Sequence, residues 1–166
     1  MIMIRESILP RKHDPKEGAP LLITREIDYA MRVLRGLKDG QMHAVPDLTQ
    51  DQMIPQAFTY KIIKKLARAG LVEIIRGSTG GCRLKADLEQ VSLADLMTAM
   101  EGRCGLSACM DPDYVCPWQQ TNQRCSIHCR LAEIQQRLEQ ELQSYSLGSL
   151  LRDDTGTPPA TEKKDP

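Results

Sequence analysis

The sequence predicts a mainly α protein, on three observations. Apolar residues recur every three or four positions through most of the chain. One alternating stretch, LVEIIR-GSTGG-CRLKA, breaks that period with a glycine turn in its middle. With one Phe and one Trp, the core must come from Leu, Ile, Val, Met and Ala, which suits helices.

Structure is expected to begin at Thr24, whose hydroxyl suits an N-cap. Ile27, Ala30, Met31, Leu34 and Leu37 then share a helical face, and Gly40 ends the element. A brief second helix spans 45–52, with Leu48 and Met53 pointing inward. Pro55 suits a helix start, and a third helix follows over 56–69. Its stripe is Phe58, Ile62, Ile63 and Leu66, and Gly70 closes it. The hairpin comes next. From Val91, Leu93, Leu96, Met97 and Met100 mark another helix. Ile127, Leu131, Ile134, Leu138, Leu142 and Tyr145 mark a long amphipathic one of the kind that pairs with a copy of itself, and LGSLL adds a last turn. Residues 1–20 read as a flexible extension and 152–166 as a disordered polar, proline-rich tail.

Three helices followed by a hairpin is the order of a winged helix-turn-helix. The chain therefore divides into such a domain over 21–86 and a dimerisation unit with a cysteine-bearing loop over 87–151. Charge is balanced, 22 Lys and Arg against 22 Asp and Glu, but not locally. From Met53 to Ala86 the basic residues are Lys61, Lys64, Lys65, Arg68, Arg76, Arg83 and Lys85, against Glu73 alone. Such a stripe fits phosphates; it also describes an ordinary solvated helix face. The hairpin and its glycine turn favour DNA. Gln56, Thr59, Tyr60 and Lys61 would then face base edges in a major groove, Lys64 extends the basic stripe, and Arg76 would enter a minor groove or grip a phosphate.

Five of the six cysteines lie between Cys104 and Cys129, with the only Trp and one of three histidines. No apolar run is long enough to span a membrane, and the N-terminus does not read as a secretory signal. A cytoplasmic home is expected, where clustered thiols bind metal or sense redox state more often than they form disulfides. Cys109, Cys116 and Cys125 are soft donors for an iron–sulfur cluster. With His128 they also satisfy a tetrahedral zinc site. Buried or redox-active thiols without metal are the plainer reading. Cys129 on the helix could be core, Cys82 in the hairpin reads as packing, and Cys104 as an auxiliary thiol.

The stretches LITREIDYAMRVL, IPQAFTYKIIKKLARAGLVEIIRGSTGGCRL, VSLADLMTAMEG and CMDPDYVC…CSIHCRLAEIQQRL resemble the Rrf family of winged-helix transcription regulators, in its IscR- and NsrR-like iron–sulfur branch. The resemblance covers about residues 21–151. It implies a homodimer on a roughly palindromic double-stranded DNA operator, with a wing formed by Arg76, Gly77, Ser78 and Thr79. It also implies a cluster held by Cys109, Cys116 and Cys125. The fourth ligand is either His128 or Asp28, the latter donated by the partner subunit; Asp28 with a 4Fe–4S cluster is slightly favoured over 2Fe–2S. Asp28 has a modest alternative, an ion pair with Arg32 one turn on. The loop spacing is longer than the family's usual one.

The expected function is a dimeric DNA-binding regulator whose operator affinity follows an iron–sulfur cluster. The signal would be redox state, nitric oxide or iron and cluster supply. The competing readings are a metal-free thiol-redox regulator and a zinc-structured adaptor for nucleic acid or protein. An enzyme is not expected: the chain carries no phosphate loop, nucleophile–base pair or paired acids.

Overall fold

The computed structural model describes residues 22–77, 80–102, 105–122 and 124–152. The expected extension, most of the expected tail, Ser78, Thr79 and Cys104 lie outside them. The described elements run α1 (Arg25–Gly36), α2 (Val45–Asp51), α3 (Gln56–Arg68), β1 (Val72–Ile75), β2 (Gly81–Leu84), α4 (Leu93–Glu101), α5 (Pro117–Thr121), α6 (Ser126–Ser144) and α7 (Leu147–Leu150). Short 3-10 turns stand at Leu88–Gln90 and Ala108–Met110.

Thr24 caps α1 as its residue type demands, accepting from the Ile27 N–H at 3.5 Å. The helix ends at Gly36, and a further turn carries the chain to Gly40, where the sequence had placed the end. Ile27, Ala30, Val33, Leu34 and Leu37 are fully buried. Ile62, Ile63 and Leu66 of α3 and Leu96, Met97 and Met100 of α4 complete this core.

α3 closes in a Schellman arrangement. Gly70 takes a positive φ of 76°, the Leu71 N–H reaches the Leu66 carbonyl at 3.0 Å, and the Gly70 N–H reaches that of Ala67 at 3.1 Å. Leu71 then feeds directly into β1. The strands pair antiparallel with Glu73 opposite Arg83 and Ile74 opposite Cys82. A third segment joins the hairpin through a bridge between His43 and Cys82, with N–H to carbonyl distances of 3.0 and 2.9 Å. Gly81 is required there, because a Cβ would collide with the His43 carbonyl oxygen. Three helices and this small sheet make the expected winged helix-turn-helix.

Two inward assignments and one helix position are corrected. Met53 is 79% exposed and adopts a positive φ of 52°, because the α2–α3 turn points it outward and gives the inner place to Ile54. Phe58 is half-exposed, its ring edge-on to Tyr29 with centroids 5.9 Å apart. Pro55 is the N-cap of α3 rather than its first helical residue.

The C-terminal part packs on the winged unit through α4, and its end is tied back to the start of α4. Ser92 and Ser146 form a bridge, with Leu147 N–H to Val91 carbonyl at 2.7 Å and Leu93 N–H to Tyr145 carbonyl at 2.9 Å. Leu147 is fully buried there. Ser92 and Asp95 cap α4 reciprocally. Along α6, by contrast, no residue is fully buried; Ile127 and Ile134 are 68% and 53% exposed.

Leu34→Ala is expected to cost about 3 kcal/mol, the range for a fully buried leucine in a close-packed core, read as a lower urea midpoint with an unchanged m-value.

Candidate DNA-binding surface and cysteine segment

α3 sits against α1 on its inner face, so its outer face is set by what remains. Gln56, Tyr60, Lys64 and Arg68 follow one another at four-residue intervals, and all are exposed. Thr59 does not join them. It is fully buried and its hydroxyl donates to the Pro55 carbonyl at 3.3 Å, so its expected place at a base edge is corrected to a place in the core. Its slot falls on the buried side of the helix, with Ile62, Ile63 and Leu66. Arg76 and Gly77 lie exposed where β1 enters the turn.

The basic stripe is more neutralised than the sequence suggested. Lys61 and Lys65 both reach the Glu26 carboxylate in the first turn of α1. Lys65 also donates to the Met100 carbonyl at 2.6 Å. Arg83 pairs with Glu73 across the hairpin at 2.8 Å. The two lysine hydrogen bonds hold the Glu26 carboxyl below its ordinary value. Glu26 was not singled out from sequence: its partners stand 35 and 39 positions downstream. Its place in the first turn of α1, one face removed from the apolar stripe, was the only available signal.

The cysteine segment lies over α4 and α6. Cys109 stands in the 3-10 turn, its sulfur 3.4 Å from the Ser107 hydroxyl. Cys116 is the N-cap residue of α5. Cys125 is the N-cap residue of α6, and its sulfur accepts the His128 N–H at 3.5 Å. All three, with Cys129, are half-buried free thiols. The His128 Nδ1 is buried without a hydrogen-bond partner. Asp28 instead meets Arg32 at 3.1 Å, the ion pair that its spacing allowed. Cys82 is fully buried, and burial pushes its thiol up, as a packing role requires. A groove of about 610 Å³ lies between the segment, α4 and α6, with Met97, Leu106, Leu138 and Leu142 in its walls.

By chemistry the donors fit a soft metal: three thiols and an imidazole nitrogen lacking a partner. By placement they are not gathered within one chain, for no three His, Cys, Asp or Glu side chains among the described residues are positioned to hold an ion.

A winged helix-turn-helix with a solvent-facing third helix and a separate thiol-rich segment defines a class, the winged-helix transcription regulators. The chain belongs to the Rrf2 family, described as iron-dependent transcriptional regulators, whose profile matches residues 23–153. Its members are regulators and not enzymes. It is similar to Protein aau3 of Rhizobium meliloti (strain 1021), 26% identical over 133 residues covering 78% of this chain and 84% of that protein. Among solved structures it is similar to CymR, the global cysteine regulator of B. subtilis, at 19% identity and a TM-score of 0.60, over 80% of this chain and 97% of that one. T. potens IscR is similar at 18% identity and a TM-score of 0.58, over 83% and 93%. At these identities the two structures speak to the fold. No described helix is long and apolar enough to cross a membrane.

Because the folded value of Glu26 is depressed, its stabilisation is full above the ordinary value of 4.5 and is lost as pH falls through the folded value. Glu26→Gln is expected to lower stability by about 1 kcal/mol at neutral pH and to match the wild type in acid, read by urea denaturation at both pH values.

Proposed function

We propose that this chain is a dimeric transcription regulator that binds a duplex operator through α3 and the wing, and that an iron–sulfur cluster on its cysteine segment controls that binding. The observation carrying the DNA part is the exposed row Gln56, Tyr60, Lys64 beside Arg76 and Gly77 in a chain of this family. Lys61 stands next to that row, paired with Glu26 yet more than half exposed. Helix N-terminal residues meet base edges while the wing meets backbone or minor groove. Ser78 and Thr79 belong to the same proposed wing.

Cys109, Cys116 and Cys125 would hold the cluster through their sulfurs. When bound, it supplies an iron centre able to respond to oxidants, nitric oxide or iron supply. The unpartnered Nδ1 supports His128 as the fourth ligand, and the Arg32 partner of Asp28 weighs against Asp28. Cys125 does two things in this chain. It is a donor, and it caps α6 through the His128 N–H. A change in bonding at that sulfur therefore acts on the first turn of α6. The chain just after α6 is tied to the start of α4 by the Ser92–Ser146 bridge, and α4 packs against the winged unit.

A second copy fits α6. Ile127 and Ile134 are exposed on it while Leu131 and Leu138 are half-buried, at the spacing by which one helix packs along another. Two chains would present two α3 helices to the half-sites of a roughly palindromic operator. The half-buried free thiols keep a second reading open, a metal-free regulator responding through disulfides. A Cys3His zinc site is the third.

Anaerobic purification followed by iron, sulfide and zinc assay separates the three. The cluster reading expects iron and sulfide with visible absorption, and any one of Cys109→Ala, Cys116→Ala or Cys125→Ala should bleach it. Zinc without iron, or neither metal, overturns it. Arg76→Ala and Lys64→Ala should each weaken operator binding with the absorption spectrum intact, by about 1 kcal/mol or more per contact. Ile134→Glu should shift the protein from dimer to monomer in sedimentation equilibrium.

A further inference from the structure

Lys65 belongs to the basic stripe in the sequence but not to the surface in the fold. Its side chain is about a quarter exposed, against more than half for Lys61 four residues earlier. Its ammonium ends between two acceptors on two other helices, the Glu26 carboxylate in α1 and the Met100 carbonyl in α4. That carbonyl is among the last in α4, where a helix leaves its C=O groups without internal partners. α4 offers no basic residue of its own in its last turn. The ammonium satisfies the carbonyl and the negative end of the helix together. Beside it, the Thr24 hydroxyl bonds the Glu101 carboxylate, closing a polar junction between the start of α1, the last turn of α3 and the end of α4. The chain leaves this junction at Gly102 and enters the cysteine segment.

We infer that Lys65 is a positioning residue: it ties α3 to the end of α4, and through that tie the state of the cysteine segment sets how α3 is presented to DNA. Glu26 holds the ammonium in place and neutralises it. Lys65 therefore adds no phosphate contact, whereas Lys64, the adjacent exposed lysine, adds one. The inference rests on the reading that the cysteine segment controls DNA binding.

The test uses the full-length protein, iron-loaded and chelator-stripped, with duplex DNA selected from a randomised library by the wild type. Affinity is measured by anisotropy across a salt series. Lys64→Ala should flatten the log–log salt slope by about 0.9, one released phosphate contact. Lys65→Met, which keeps the aliphatic stem, should leave the slope unchanged. It should also bring the affinity ratio of the two protein forms towards one from a wild-type value of about fivefold or more. Lys65→Arg, which reaches both acceptors, should restore the ratio. A Lys65→Met slope as flat as that of Lys64→Ala overturns the inference, and so does a wild-type ratio retained in Lys65→Met. If the wild type carries no iron, or its two forms bind equally, the reading of the cysteine segment fails on that measurement. The positioning role of Lys65 is then decided by Lys65→Met on the stripped protein: weaker binding at unchanged slope sustains it, and a flattened slope or unchanged affinity overturns it.

Discussion

Burial of one stripe of α1 organises this molecule. Ile27, Ala30, Val33, Leu34 and Leu37 are wholly removed from water, and α3 and α4 cover them. Each buried valine, leucine or isoleucine of this stripe contributes about 1.5–3 kcal/mol. The consequence is orientational. With its inner face committed to the core, α3 shows to solvent the row from Gln56 to Arg68 and the flank carrying Phe58 and Lys61, and the Schellman turn at Gly70 delivers the chain into the hairpin. The relation between recognition helix and wing is thus a by-product of packing.

The second half of the chain is held differently. Its firm attachment is α4, whose Leu96, Met97 and Met100 join that core, and the Ser92–Ser146 bridge ties the end of the chain back to α4 with Leu147 buried beneath it. Beyond that point α6 buries no residue completely. The cysteine segment leaves Val115 and Trp118 mostly exposed. Elements with little buried apolar contact move at low cost, which the proposed control of the winged unit's DNA binding by this arm requires. The polar junction of Glu26, Lys61, Lys65 and Met100 lies where the two meet. Charged groups in that position hold geometry by direction, which apolar packing does not.

Whereas the short α5 and the reciprocal cap at Ser92 were not read from the sequence, the main helices, the hairpin, the cap at Thr24 and the thiol-rich segment were legible in it. Each depends on neighbours within about a turn, and residue type alone encodes such relations. Resemblance to a known family added Gly77, Ser78 and Thr79 to the wing and Asp28 to the ligand candidates. What failed were single positions at the edges of stripes. Phe58 and Thr59 are adjacent, and helical periodicity assigned the aromatic inward and the hydroxyl outward. The fold reverses both, since the small Thr59 is fully buried with its hydroxyl bonded to the Pro55 carbonyl at the start of its own helix, while the Phe58 ring stands edge-on to Tyr29 at the rim. Met53 was misplaced because a turn, unlike a helix, carries no period.

The sequence by itself therefore determined the order of elements, the core residues of each helix, the basic character of α3 and the supply of soft donors, all properties of composition and local spacing. Only the tertiary structure decided which charges are spent within the chain. Glu26 meets Lys61 and Lys65 because α1 and α3 pack together, and Lys65 meets Met100 because α4 ends beside them. Pairings across more than thirty residues leave no periodic trace, since they are fixed by the angles at which helices cross.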